Sequence, residues 1–131
     1  MIGAFEVQKA VDAVLLPVLA ALDPPVALFD SAPQGQTFPF VEFSRLIVSN
    51  GPMLSEKSKT VDVMLTVYSQ FRGQEEVVRI LAAIEGALDG ADIDLDSATA
   101  VRCDFVRADT AKDADGMTTT GTAFCTVYIT T

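Results

Sequence analysis

Histidine is absent from the 131 residues, and cysteine occurs only twice. The missing imidazole removes the commonest general base and the central member of a Ser-His-Asp triad. It also starves any zinc site, because Cys103 and Cys125 are too few ligands to close one. Basic residues are scarce as well: 9 Lys and Arg face 18 Asp and Glu, for a net charge of -9. Binding to duplex DNA needs clustered Lys and Arg to displace counterions, and no cluster is present. Long apolar runs are missing too. Leu15 to Leu22 falls far short of the roughly 20 residues that span a bilayer. The opening Met1-Ile2-Gly3-Ala4-Phe5-Glu6 lacks the basic start of a secretory signal, and Asp12 interrupts the first apolar stretch. No signal peptide and no membrane contact are expected. Cys103 and Cys125 then read as buried free thiols of a protein made in a reducing compartment.

The motif search is equally negative. No G-x-S-x-G elbow, P-loop or G-x-G-x-x-G occurs. Ser55-Glu56-Lys57-Ser58-Lys59 offers Ser-x-Lys spacing, but a lysine base must be desolvated and a polar loop tip keeps it wet. Asp113-Ala114-Asp115-Gly116 resembles half a calcium loop. The positions that would complete the loop hold Ala111 and Thr122, so a tight turn is the reading. Asp89, Asp92, Asp94 and Asp96 form a denser acidic set. It reads as a solvated edge that discourages stray strand pairing, or, in a ring, as the lining of a bore. No catalytic residue, metal or cofactor is expected.

Half of the chain is hydrophobic (50%), with a mean hydropathy of +0.35. This is apolar enough to suggest surface covered by a partner. The length suits one domain over residues 1–131. Phe5, Val7, Val11, Val14, Val18 and Leu22 recur at helical spacing, with Leu15 and Leu19 widening the stripe. Pro17 should kink this helix or start a new turn, and Asp23-Pro24-Pro25 should end it. Val26–Phe29 reads as a short strand, and Asp30–Gln36 as a turn.

A strand from Phe38 to Val48 carries apolar groups on both faces, which calls for cover by its own helices or a neighbouring subunit. A polar tip, Ser49–Lys59, joins it to a strand over Thr60–Gln70 whose inner face is Val61, Val63, Leu65 and Val67. A second helix follows Phe71-Arg72-Gly73. Glu75 and Glu76 suit its dipole, Val77, Leu81, Ile84 and Leu88 form its inner stripe with Val78 beside it, and Gly90 caps its end. Strands over about Thr99–Arg107 and Thr118–Thr130 close the chain. The expected fold is α+β: a mostly antiparallel sheet of four to five strands, two helices on one face, order αβββαββ.

Several segments resemble one family. Asp30, then Ala32-Pro33-Gln34-Gly35, then Phe38-Pro39-Phe40-Val41 are similar to segments of phage tail-completion, or tail-terminator, proteins, which include members in phage-like gene transfer agents. Val67-Tyr68-Ser69-Gln70-Phe71-Arg72-Gly73, Ala87-Leu88-Asp89-Gly90 and Asp113-Ala114-Asp115-Gly116 fall where that family places similar segments. The resemblance spans about Phe5 to Tyr128. It implies a structural virion protein at the neck end of the tail, made in the host cytoplasm. The implied assembly is a hexameric ring that caps the tail tube, stops its polymerisation and joins it to the head-side connector. Its implied partners are itself, the tail tube protein, the head–tail connector (stopper or adaptor), and DNA passing through the bore without specific binding. On this reading Phe40, Phe43, Met53, Leu54 and Arg72 are candidate subunit contacts. Asp89, Asp92, Asp94 and Asp96 are candidate lumen residues, and Arg45 and Arg72 candidate partners for acids across an interface. The alternatives are another tail or neck subunit, such as a tube or connector protein, or a small ligand-binding module using Phe38, Phe40, Phe43 and Phe71.

Overall fold

The computed structural model describes residues 4–50, 58–91, 93, 95, 100–113 and 115–130. Helix α1 spans Ala4–Ala20 and helix α2 spans Glu75–Leu88. The strands are β1 (Ala27–Phe29), β2 (Phe40–Asn50), β3 (Ser58–Ser69), β4 (Ala100–Lys112) and β5 (Thr119–Thr130). They form one sheet in the order β1-β2-β3-β5-β4. Only β1 against β2 is parallel; every other neighbouring pair is antiparallel. The expected α+β class and order αβββαββ are therefore what the chain adopts.

The sheet forms because β3 and β5 alternate cleanly. Val61, Val63, Leu65 and Val67 of β3 are at most 1% exposed, and Ala123, Cys125, Val127 and Ile129 of β5 lie beside them on the same face. Each large apolar side chain removed from water there contributes about 1.5–3 kcal/mol. Both helices cover this face. α2 inserts Val77, Ile80, Leu81, Ile84 and Leu88, while α1 inserts Val7, Val11, Leu15 and Leu19. Cys103 and Cys125 are free and buried in this core, as expected.

The register fixes the faces across all four long strands. Val41, Phe43, Leu46 and Val48 of β2 pair with Val67, Leu65, Val63 and Val61, and so face the helices. One extra residue in each outer long strand breaks the ladder: Ser44 between Phe43 and Arg45, and Val106 between Phe105 and Arg107. Such bulges bend and twist the sheet. Both lie at one level, since Arg45 pairs with Met64, Met64 with Phe124, and Phe124 with Arg107.

Several expectations change. Phe5 is 68% exposed and not part of the inner stripe of α1, which runs Val7-Val11-Leu15-Leu19 at four-residue steps. Phe5 instead lies under the Lys9 ammonium, 5.5 Å from its ring centroid. Pro17 lies inside a helix that continues to Ala20 and does not start a new one, and Pro17 O accepts a bond from Ala21 N–H. Pro17 is exposed, which leaves its ring clear of the packed stripe. Val78 faces outward, and Ile80 takes the inner place. Strand β4 runs five residues past Arg107 because the Val106 bulge resets the alternation so that Ala108 and Thr110 face the helices. The strands also absorb both ends of the expected polar tip, with Ser49 opposite Thr60 and Asn50 opposite Lys59. The middle of that tip lies outside the described residues.

Candidate functional site: an open sheet face and two free strand edges

The face of the sheet turned away from the helices has no layer over it among the described residues. Alternation dictates its composition. One end is aromatic: Phe40 stacks on Tyr68 with ring centroids 4.9 Å apart, and Phe38 and Phe29 meet the Phe40 ring edge-on at 5.2 and 6.2 Å. Burial is the largest cause raising the Tyr68 hydroxyl above its ordinary pKa, with Glu42 and Asp113 adding to it. The turn after β1 is tied to this end by Ala32 N–H donating to Glu42 Oε2 at 2.7 Å. Next comes a polar row in which the hydroxyls of Ser44 and Thr66 meet.

The bulges place Arg45, Met64, Phe124 and Arg107 side by side as the following row. The Arg107 guanidinium lies 4.3 Å from the Phe124 ring centroid, a cation–π contact. A hollow of about 330 Å³ opens along this row, with Arg45, Ile47, Met64, Val106, Arg107 and Phe124 among its walls. Below it, Thr126 Oγ1 donates to Asp62 Oδ1 at 2.9 Å, and Arg102 Nε donates to Asp104 Oδ1 at 2.8 Å. The Arg102–Asp104 pair is largely exposed, so water and salt screen it and it adds little to stability.

The two edges of the sheet are unlike. β1 covers only Phe40, Val41 and Glu42 of β2, so from Phe43 to Asn50 no described strand pairs with the outer side of β2. Ile47 and Val48, on opposite faces of this free half, are 41% and 44% exposed. At the far edge, the first part of β4 is already occupied. Gly90 N–H donates to Cys103 O at 2.8 Å, and Cys103 N–H donates to Ala91 O at 3.2 Å. Phe105 N–H is taken by Asp89 Oδ1 at 3.1 Å. Past Val106, itself 59% exposed, no described strand pairs with the outer side of β4. There a second hollow of about 320 Å³ lies between α2 and β4, walled by Val78, Ala82, Glu85, Phe105, Ala108 and Asp109 among others.

The residues singled out from the sequence are distributed as follows. Phe40 and Phe43 are each 8% exposed, so their rings are held mainly within the chain. Arg72 is exposed beside the start of α2. Asp89 is exposed and blunts the edge of β4 through Phe105. Met53, Leu54, Asp92, Asp94 and Asp96 lie outside the described residues. Sequence reasoning did not anticipate the Met64–Phe124–Arg107 row. Its signal was available in Phe105-Val106-Arg107, where an apolar residue breaks an otherwise strict alternation and marks a bulge. Asp113, Asp115 and Gly116 lie in a turn, Gly116 N–H donating to Asp113 O, while Asp115 Oδ1 accepts from Met117 and Thr118 N–H and Oδ2 accepts from Thr118 Oγ1; Ala114 lies outside the described residues. Those bonds hold the Asp115 carboxyl below its ordinary pKa. No group of three or more Cys, Asp or Glu among the described residues is placed to hold a metal ion, and no described helix is long and apolar enough to cross a membrane.

The fold and these surfaces define an α+β structural domain that offers faces and edges for contact. The chain belongs to the family described as tail completion protein gp17, which matches residues 9–130, and a structural role in a phage tail goes with that membership. A chain of the native gene transfer agent (GTA) particle virion is similar in fold, with a TM-score of 0.81 and 23% identity, covering 95% of this chain and 94% of that one. A second solved protein is similar with a TM-score of 0.59 and 11% identity, covering 100% of this chain and 97% of that one. No curated protein sequence matches.

Proposed function

We propose that this protein is a single tail-terminator domain over residues 1–131, forming a hexameric ring at the neck end of a phage-like tail. The ring caps the tail tube, stops its polymerisation and joins it to the head-side connector, while DNA passes through without specific binding. The family match across residues 9–130 carries this reading. The likeness to a gene transfer agent virion chain agrees with it. The molecule then works as a joint and carries no catalytic group. Its partners are its own copies, the tube protein and the connector. Arg72, Met53 and Leu54 serve as contacts, Phe40 and Phe43 brace the contact strand from within, and Asp89, Asp92, Asp94 and Asp96 face the bore. With a net charge of -9, an acidic bore repels DNA phosphates and lets the duplex slide.

The test is the mass of the purified chain by light scattering over a range of concentrations, with electron microscopy of the same samples. A rise from 13.9 kDa towards six-fold mass, with isolated rings in the images, is the expected result. Filaments would identify a tube subunit instead. A strict monomer that also fails to bind added tail tubes would overturn the reading.

A further inference from the structure

We propose that neighbouring copies join edge to edge, the Arg107–Thr110 stretch of β4 of one copy pairing with the Phe43–Ile47 stretch of β2 of the next. This rests on the ring reading above and adds the contact and its register. A closed ring needs two different, complementary patches on each subunit. The two edges are such patches, and each is the part of an outer strand that no other described strand of the same chain pairs with.

Three observations fix the joint. The first is direction. β2 is antiparallel to β3, β3 to β5 and β5 to β4, so β4 runs opposite to β2. Rotation about a ring axis along which the strands run keeps that relation. Copies set side by side therefore meet with antiparallel edges, and the alternation of the sheet continues unbroken.

The second is charge. Continuing the rows without a shift would put Arg45 of the next copy opposite Arg107, and its Glu42 opposite Asp109. Like charges directly opposite are unfavourable. A one-residue shift would exchange the two faces of the sheet, so the slip must be by two. A slip in one direction needs the backbone of Cys103 and Phe105, which Ala91, Gly90 and Asp89 already occupy. A slip in the other sets Arg45 of the next copy opposite Asp109.

The third is apolar fit. In this register Leu46 of the next copy lies opposite Ala108, and the backbone pairing ends where its Val48 comes level with Phe105, whose N–H Asp89 holds. These side chains then point to the helix side of β4, where the hollow of about 320 Å³ between α2 and β4 is open. The exposed Val48, which its own helices leave 44% uncovered, gains a cover. Backbone parity agrees. Cys103 turns its N–H and C=O outward, and antiparallel alternation gives the same to Ala108 and Thr110.

Two paired-cysteine variants and one charge swap test this, each read by light scattering and by non-reducing gel after mild oxidation. Leu46→Cys with Ala108→Cys should give a ladder of covalent oligomers that a thiol reductant collapses. Leu46→Cys with Phe105→Cys, which fits the unshifted register, should give none. Arg45→Glu should lower the ring population at least ten-fold at a fixed concentration, and adding Asp109→Arg should restore it, because every joint then holds the reversed pair. If the wild type forms rings but neither cysteine pair cross-links, or only the unshifted pair does, the proposal is overturned while the ring reading stands. Rings that ignore Arg45→Glu overturn it equally. A wild type that never associates, even on tail tubes, overturns the ring reading and this joint with it.

Discussion

Gly121 marks a close approach of helix to sheet. It lies on the inner face of β5 under α2, and a Cβ built there would collide with Val77 Cγ1 and stand 2.9 Å from Leu81 Cδ1. Glycine inside a strand marks such a close approach. Gly121→Val should therefore lift α2 from the sheet and lower stability by about 1–3 kcal/mol, measurable by urea unfolding. The two thiols should behave as core atoms. The hydrogen bond to Cys103 and burial together push the Cys125 thiol far up, so the reactive thiolate is suppressed. A thiol reagent should label neither cysteine in the folded protein and both on unfolding; fast labelling of the native state would contradict the packing. Asp115 carries the pH dependence of the last turn. Its carboxyl sits below the ordinary value, so its charge stabilises the fold fully above the unfolded pKa of about 3.8 and stops doing so as pH falls through the folded one. Asp115→Asn keeps an oxygen acceptor without the charge. The stability gap between wild type and variant should be constant near neutrality and close in acid.

Among the elements, α1 is the one at odds with its own sequence. Pro17 removes one backbone donor from a helix that nonetheless continues to Ala20. Four buried residues at four-residue spacing, Val7 to Leu19, outweigh that local cost. Pro17→Ala should raise stability by up to about 3 kcal/mol, read as a higher unfolding midpoint. A fall would mean that the proline is needed for the path of the chain into Val26. Strand β3 was legible because one face is buried and the other wet, which alternation reports directly. The inner stripe of α2 was legible for the same reason. The ends of β2 and β4 were not. Both strands have bulges, and a single extra residue makes an alternating pattern read as two short segments or as an early stop. Phe5 misled for a different reason: helical spacing admits it to the stripe, but only tertiary packing shows that it stays 68% exposed among the described residues.

At the scale of the whole molecule, the fold and family could be read from segment order, whereas the contact surfaces could not. A row such as Arg45-Met64-Phe124-Arg107 is assembled from three strand-pair registers, and no window of sequence contains it. The acidic balance makes its own demand at this scale. Every copy added to a ring brings a further net charge of -9, so like-charged subunits repel during closure. The proposed Arg45–Asp109 pair between copies would pull the other way, but an exposed pair contributes only about 0–1 kcal/mol. Salt screens both, with a Debye length of about 10 Å at 0.1 M and about 3 Å at 1 M. The repulsion sums over all copies and distances, whereas the attraction is one short contact per joint. Screening therefore removes more repulsion than attraction. The mass of the assembly at fixed protein concentration should rise as sodium chloride increases from about 0.05 to 0.5 M, a range over which the Debye length falls about three-fold. Dissociation by salt over that range would show instead that ion pairs dominate the joint, and that the acidic charge lies too far from the contacts to oppose closure.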